Sequence, residues 1–346
     1  MTSNGSRTFS VIITSHSGRD FVLEAIRSVQ EQTFPAHEII VVLDGELSEI
    51  AAKIAEAYPD VRVFEQPNLG VSVARNLGVA KATGTWLCFL DDDDLWHCDK
   101  LKLTAAYLES HPNCRALRNP VWFFKASNDA PEDAFGFAPD FVAQNLDECH
   151  AAVAHGDCSR NSFEYLSIEG DSFRLMLEKN RGILSSTVLL REVFINAGGF
   201  CAMQTVGEEW TLFVNVARLC EWHIIPQRLG FHRLHLFSNT QSDMRNGLFT
   251  LAGQINAWFT GRPLPHRTHG MDWMRELVKY GPVYRKSVQS LFWTALGARQ
   301  FKLAQLIRRA GRMLLPRTID WIYIHIPPQV TWRLERYIPG MDCCDA

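Results

Sequence analysis

Several features that would narrow the role of a 346-residue chain are missing. No stretch approaches the roughly 18 to 20 apolar residues that a membrane-spanning helix needs. The opening MTSNGSRTFSVIITSHSGRD holds an apolar run of only about five residues, too short for the core of a secretory signal. The nine cysteines contain no CxxC pair, and they are odd in number and irregularly spaced. A chain of this size does not need disulfide staples. These absences predict reduced thiols in a cytoplasmic protein, neither secreted nor integral to a membrane. A formal charge of -3 gives no overall basic character, so nucleic acid is not an expected partner. The segment TSHSGRD offers only Gly18 and Arg19 after the first apolar run. It therefore lacks the glycine-rich, basic phosphate loop expected of a nucleotidyltransferase.

What is present is ordinary globular composition, 47% apolar and 21% charged, enough for one large or two modest domains. Charge is unevenly placed: the stretch from Arg285 to Arg336 carries ten Lys or Arg against two acids. Apolar runs predict strands over 9–14, 38–44, 61–66 and 85–91, alternating with amphipathic helices over 20–32, 47–58, 71–82 and 97–110. Short continuous apolar strands between amphipathic helices predict an α/β fold, a mostly parallel sheet flanked by helices on both faces. The middle, about 125–180, reads as irregular and rich in Asn, Asp, Ala and Gly. A strand and helix over 182–200, a helix over 208–222 and a strand or two over 223–235 follow, and beyond residue 250 the pattern is helical, aromatic and basic.

In such sheets ligands gather at the carboxyl ends of the strands. Thr14 follows strand one, Asp44 ends strand two, and Asp91, Asp92, Asp93 and Asp94 end strand four. Adjacent carboxylates repel, and Mg²⁺ typically takes one or two of them plus substrate phosphates. N-terminal capping of the 97–110 helix is the alternative, but it accounts for one aspartate or two, not four. Asp44 and Thr14 suit a base or ribose, whereas Asp44-Gly45 is also a good turn pair. Arg75 suits a phosphate or a plain surface charge. Glu208 and Glu209 open a helix, where acids complement the dipole or where one could act as a general base. His232 and His235 read as structural histidines, with phosphate or metal contact as the other choice. The basic, aromatic run 303–326 leaves open attachment to anionic lipid and packing on a domain or partner.

Two segments, FSVIITSHSGRDFVLEAIRSVQEQTFPAHEIIVVLDG and EQPNLGVSVARNLGVAKATGTWLCFLDDDDLWHCDKL, resemble family 2 glycosyltransferases of the GT-A fold. SSTVLLREVFINAGGF and GEEWTLFVNVARL extend the likeness, while the middle and the last hundred residues lie outside it. The resemblance implies inverting transfer from a nucleotide-diphosphate sugar with Mg²⁺ or Mn²⁺. It carries Thr14, Asp44, Arg75 and Asp92 to the donor, with Asp92 near the ribose, and Asp91 and Asp93 to the metal. The Glu-Asp pair of the family falls on Glu208-Glu209, with Glu209 the expected base. Asp94 is left to cap the next helix. The chain departs from the family at ITSHSG, at Leu43 in place of an aspartate, and at Glu209, one methylene longer than the usual Asp. Those departures also admit a nucleotide-sugar-binding protein with weak or lost catalysis.

The resulting expectation is a GT-A domain over 7–240, with a nucleotide-binding half at 7–110 and an acceptor half at 111–240. A helical basic extension follows at 250–346. The expected partners are a nucleotide-diphosphate sugar and a glycan or lipid-linked acceptor. The basic 285–336 stretch would contact anionic lipid on the inner face of the plasma membrane.

Overall fold

The computed structural model describes residues 7–125, 139–155, 168–178, 180–202 and 207–235. The chain divides into two compact bodies, residues 1–176 with 180–241 and residues 177–179 with 242–346. The expected extension at 250–346 and its basic 285–336 stretch lie outside the described residues. Among the described residues no helix is long and apolar enough to cross a membrane.

The first hundred residues build β1 (Phe9–Ser15), α1 (Phe21–Gln30), β2 (Glu38–Asp44), α2 (Ser48–Ala57), β3 (Arg62–Gln66), α3 (Val71–Lys81) and β4 (Trp86–Asp91). All of β1 is buried and β2 is buried from Ile39 onward, as continuous apolar strands are when both faces of a sheet are covered. In α1 the buried residues Val22, Ala25, Ile26 and Val29 recur at helical spacing. Next come β5 (Leu95–Trp96), α4 (Lys100–Ser110), β6 (Ala116–Arg118), β7 (Trp122–Lys125), β8 (Phe141–Val142), α5 (Leu146–His155) and α6 (Ser172–Glu178). A 3-10 turn at Leu184–Ser186 leads to β9 (Thr187–Leu190), α7 (Arg191–Ala197), α8 (Glu208–Ala217), β10 (Trp222–Ile224) and β11 (Gly230–Leu234).

The main sheet runs β10-β6-β9-β4-β1-β2-β3 and is parallel except for β9, which is antiparallel to both its neighbours. Register sets the edge: Thr14 of β1 lies between Val42 of β2 and Asp91 of β4, and Asp44 pairs with Gln66 of β3. A second sheet, β5-β11-β7-β8, forms beside it.

Three local expectations differ from the structure, each for a tertiary reason. Residues 95–96 pair with Phe231 and Gly230, so the chain stays extended through Trp96 and α4 starts at Lys100, not 97. The helix from 208 ends at Ala217, because the chain turns through Leu219 and Cys220 onto Val216 O and then pairs Trp222 with Ala116. The segment expected to be irregular holds α5, whose Leu146 and Cys149 are buried with Leu95, Phe124 and Phe231.

Helix α3, which carries Arg75, lies against β1 and β2 at Gly78. A Cβ there would meet Ile12 Cγ2 at 2.5 Å, so the close approach depends on having no side chain. Gly78→Ala should overpack this contact and lower unfolding free energy by about 2 kcal/mol in urea titration, within the usual range for added core methyls. Unchanged stability would show that α3 stands off the sheet.

Candidate active site at the carboxyl edge of the sheet

Each wall of the site begins at an element terminus. β1 delivers Thr14 and Ser15, β2 delivers Asp44, and β4 ends on Asp91. The next three aspartates fold as a turn closed by the Asp94 N–H donating to Asp91 O at 3.1 Å. Helices α3 and α8 start just beyond Gly70 and Gly207, both in the left-handed φ range at 94° and 71°, where glycine carries no Cβ penalty.

Arg75 is the centre. Its guanidinium is buried, 7% exposed, donating to Asp91 Oδ1 at 2.6 Å and to Glu208 Oε1 at 2.5 Å. The ring of Phe200 lies 5.3 Å from its charged carbon. Burial disfavours the charge, but Asp91 and then Glu208 outweigh it and hold the guanidinium pKa above its usual value. Arg75 is therefore not a surface charge. It joins the strand-end aspartate to the first turn of α8.

The neighbouring acid, Glu209, turns elsewhere: its Oε1 accepts from Asn180 Nδ2 at 3.0 Å. Burial first, then the Glu208 charge, push the Glu209 carboxyl up to about 8, against the pull of Arg75 and of its own backbone N–H. A carboxyl poised there is a stronger base than an exposed glutamate once deprotonated.

The four aspartates have four different environments. Asp91 is on Arg75. Asp92 Oδ2 accepts from Ser15 Oγ at 2.5 Å, and burial, then Asp93, push it up to about 7 despite that bond. Asp93 Oδ2 lies 2.8 Å from His235 Nε2, and its carbonyl accepts from Arg233 Nε at 3.0 Å. Asp94 does not cap a helix. It is buried, and accepts from Ser185 Oγ at 2.5 Å, from the Arg233 N–H at 3.1 Å and from His232 Nδ1. Ser185 Oγ in turn accepts from the Asp91 N–H at 3.1 Å. Capping is excluded because α4 begins six residues later and Asp94 is committed to the interior.

Asp44 is buried and takes three donors, Gln66 Nε2 at 2.8 Å, Leu69 N at 2.8 Å and Gly70 N at 2.9 Å. It thereby fixes the loop that enters α3. Leu43, where the family resemblance expects an aspartate, is fully buried in the core. Sequence reasoning missed Ser15, Ser185 and Asn180. Ser15 was recoverable as the next residue on the same strand end, whereas Asn180 carries no local signal. His235, read there as structural, stands on Asp93.

The cluster fits a hard divalent cation. Asp91, Asp92 and Asp93 offer oxygen atoms of the kind such an ion takes, and Asp92, pushed up by burial and then by the charges of Asp93 and Asp91, would be relieved by one. Asp91 and Asp93, with His235 beside Asp93, are the residues that would hold such an ion. Among the described residues, His97, Cys98 and Asp99 are the group whose ligand atoms all lie within 4.8 Å of one another. There Asp99 is engaged by Thr33 Oγ1 at 2.7 Å and by Lys102, and the mixed N, S, O set is softer.

Carboxylates and a buried arginine thus stand at the strand ends of a mostly parallel sheet, the edge at which ligands of such sheets gather. Residues 10–167 match the family model described as glycosyl transferase family 2. TuaG of Bacillus subtilis, provisionally described as a teichuronic acid biosynthesis glycosyltransferase, is 31% identical over 136 residues, 38% of this chain and 53% of its own. The amylovoran biosynthesis glycosyltransferase AmsB of Erwinia amylovora is 33% identical over 110 residues, 30% of this chain and 36% of its own. Among curated relatives the matched stretch spans as little as 15% of the relative. The crystal structure of S. aureus TarS 1–349 in complex with UDP-GlcNAc is similar in fold, with a TM-score of 0.54 at 13% identity over 88% of this chain and 92% of that one.

His232 gives the site a pH signature. Burial alone would lower its pKa, but the charge and hydrogen bond of Asp94 raise it to about 9. The pair thus contributes stability that is complete below the ordinary histidine pKa of about 6.5 and is lost as pH rises through about 9. The Tm difference between wild type and His232→Gln should shrink between pH 7 and 10. A constant difference would contradict the ion pair.

Proposed function

We propose that the protein is a glycosyltransferase moving a hexose-type sugar from a nucleotide-diphosphate sugar to a hydroxyl of a glycan or lipid-linked acceptor, with inversion. The observation that carries this reading is the Arg75 bridge from Asp91 to Glu208. It brings the first turn of α8, and so Glu209, to the same edge as the strand-end aspartates.

In this reading Thr14 and the loop held by Asp44 take the nucleobase side of the donor, and Asp92 takes the ribose. Asp91 and Asp93, with His235, would hold Mg²⁺ or Mn²⁺, which when bound would supply charge neutralisation at the leaving diphosphate. Glu208 is committed to Arg75 and anchors the helix. Glu209 accepts the proton of the acceptor hydroxyl as its oxygen attacks the anomeric carbon from the face opposite the diphosphate. A new carbon–oxygen bond forms, the bond to the diphosphate breaks, and the nucleoside diphosphate leaves.

The biosynthetic roles named for TuaG and AmsB support assembly of a bacterial surface or exopolysaccharide, and the TarS complex supports a nucleotide-sugar donor. We assign the transferase domain to 7–240 and a helical extension to 250–346. For the basic 285–336 stretch we propose peripheral contact with anionic lipid on the cytoplasmic face, consistent with a lipid-linked acceptor.

The test uses UDP and UDP-GlcNAc as probes. Asp93→Ala should abolish the Mn²⁺-dependent rise in Tm with UDP, since ligand bound to the native state stabilises it by mass action. Glu209→Gln should keep that rise and lose transfer by about 10²- to 10⁴-fold. Wild-type kcat should climb with pH through about 8, where Glu209 gives up its proton. An intact UDP response in Asp93→Ala would sink the metal assignment. Full transfer in Glu209→Gln would move the base. Donor binding by wild type without turnover would favour the binding-protein reading instead.

A further inference from the structure

The chain segment between α6 and the 3-10 turn has no family motif in it, yet it supplies the side-chain partner of Glu209. We propose that Asn180 is the positioning residue that aims Glu209, holding Oε1 so that Oε2 faces the acceptor hydroxyl. This rests on the reading of Glu209 as base.

The geometry is fixed at both ends of the amide. Asn180 Oδ1 accepts from the Gly182 N–H at 3.2 Å, so its Nδ2 is the group left to face Glu209 Oε1 at 3.0 Å. The segment is fastened on either side. Trp210 Nε1 on α8 donates to Met176 O at 2.5 Å, and Arg181 Nε donates to Leu175 O at 2.7 Å. Its approach to α8 requires Gly182, because a Cβ there would meet Phe213 Cε2 at 2.9 Å. A backbone bond, two side-chain anchors and a glycine contact thus converge on one amide.

The chemistry explains why an amide serves here. The charged groups facing Glu209 are Glu208 on its own helix, Arg75 from α3 and Asp91 from β4. Two of the three are anions, and the arginine is shared between them. A second cation would pair with Glu209 and quench its basicity. A neutral N–H favours the carboxylate over the acid without adding a competing charge. It also occupies one oxygen, which leaves the other as the proton acceptor. Because Glu209 reaches one methylene further than the family aspartate, it has an additional torsion to restrain, and a fixed donor restrains it.

The full chain is labelled with ¹³C-carboxyl glutamate, with Glu209→Gln assigning the resonance. Asn180→Ala and the isosteric Asn180→Asp are compared with wild type, the latter in case the smaller side chain perturbs folding. Both should raise the Glu209 titration midpoint, by about one pH unit or more, as expected for loss of a hydrogen bond to the charged form. With UDP-GlcNAc as donor, both should lower kcat at pH 7.5 by about 10-fold or more and leave donor KM within about twofold, the pattern of an interaction acting on the chemical step. An unchanged midpoint, or equal losses in kcat and donor affinity, would overturn the assignment. A raised midpoint in a protein whose wild type turns over no nucleotide sugar would uphold the Asn180 contact and reject the transferase reading, so the two failures are separable.

Discussion

One buried guanidinium organises the carboxyl edge of this molecule. Arg75 sits beneath the surface with Asp91 on one side and Glu208 on the other. Buried ion pairs recover their desolvation cost only when their geometry satisfies both partners, and removing one partner leaves an uncompensated charge. The two carboxylates come from places far apart in the chain, a strand end and a helix start. The arginine therefore fixes the distance between the two halves of the candidate site. It also sorts the acids. Glu208 is committed to Arg75, whereas Glu209 turns to Asn180.

The four aspartates illustrate the same economy. A run of like charges is tolerable because each residue faces a different partner: Arg75, Ser15, His235 and the Ser185–His232 pair. Asp94 is buried, and through Ser185 it supports the backbone of Asp91. Strand β11 reinforces this from below. Arg233 is held between the rings of Phe21 and Phe124 while it grips the carbonyl of Asp93 and the carboxylate of Glu24. The second sheet is thus the support of the aspartate turn.

Much of the fold was legible because its strands are continuous apolar runs and its first helices have clean amphipathic spacing. The parallel edge with Thr14, Asp44 and Asp91 followed from topology alone. What escaped was set by pairings distant in sequence. Trp96 is kept out of α4 by β11, and α5 is stabilised by a small cluster that the local pattern does not announce. The site shows the same division. Residues on strand ends and helix starts could be named from position, whereas the partners that give them their character could not. Arg75 looked like a ligand contact or a surface charge; its burial excludes the surface charge, and it bridges Asp91 and Glu208. Asp94 looked like a cap and is a core acceptor. Asn180 lies in an unpatterned stretch, and only the folded chain brings it to Glu209.

The account turns on Arg75 and Glu208 acting as one unit, and a double-mutant cycle measures that directly. Unfolding free energies of wild type, Arg75→Met, Glu208→Gln and the double variant, taken by urea titration at pH 7, give the coupling between them. A buried, shared bridge predicts a coupling of about 2 kcal/mol or more, toward the upper end for residues in one network. Additivity within about 0.5 kcal/mol would show that the two side chains are independent, and the division of labour between Glu208 and Glu209 would lose its physical basis.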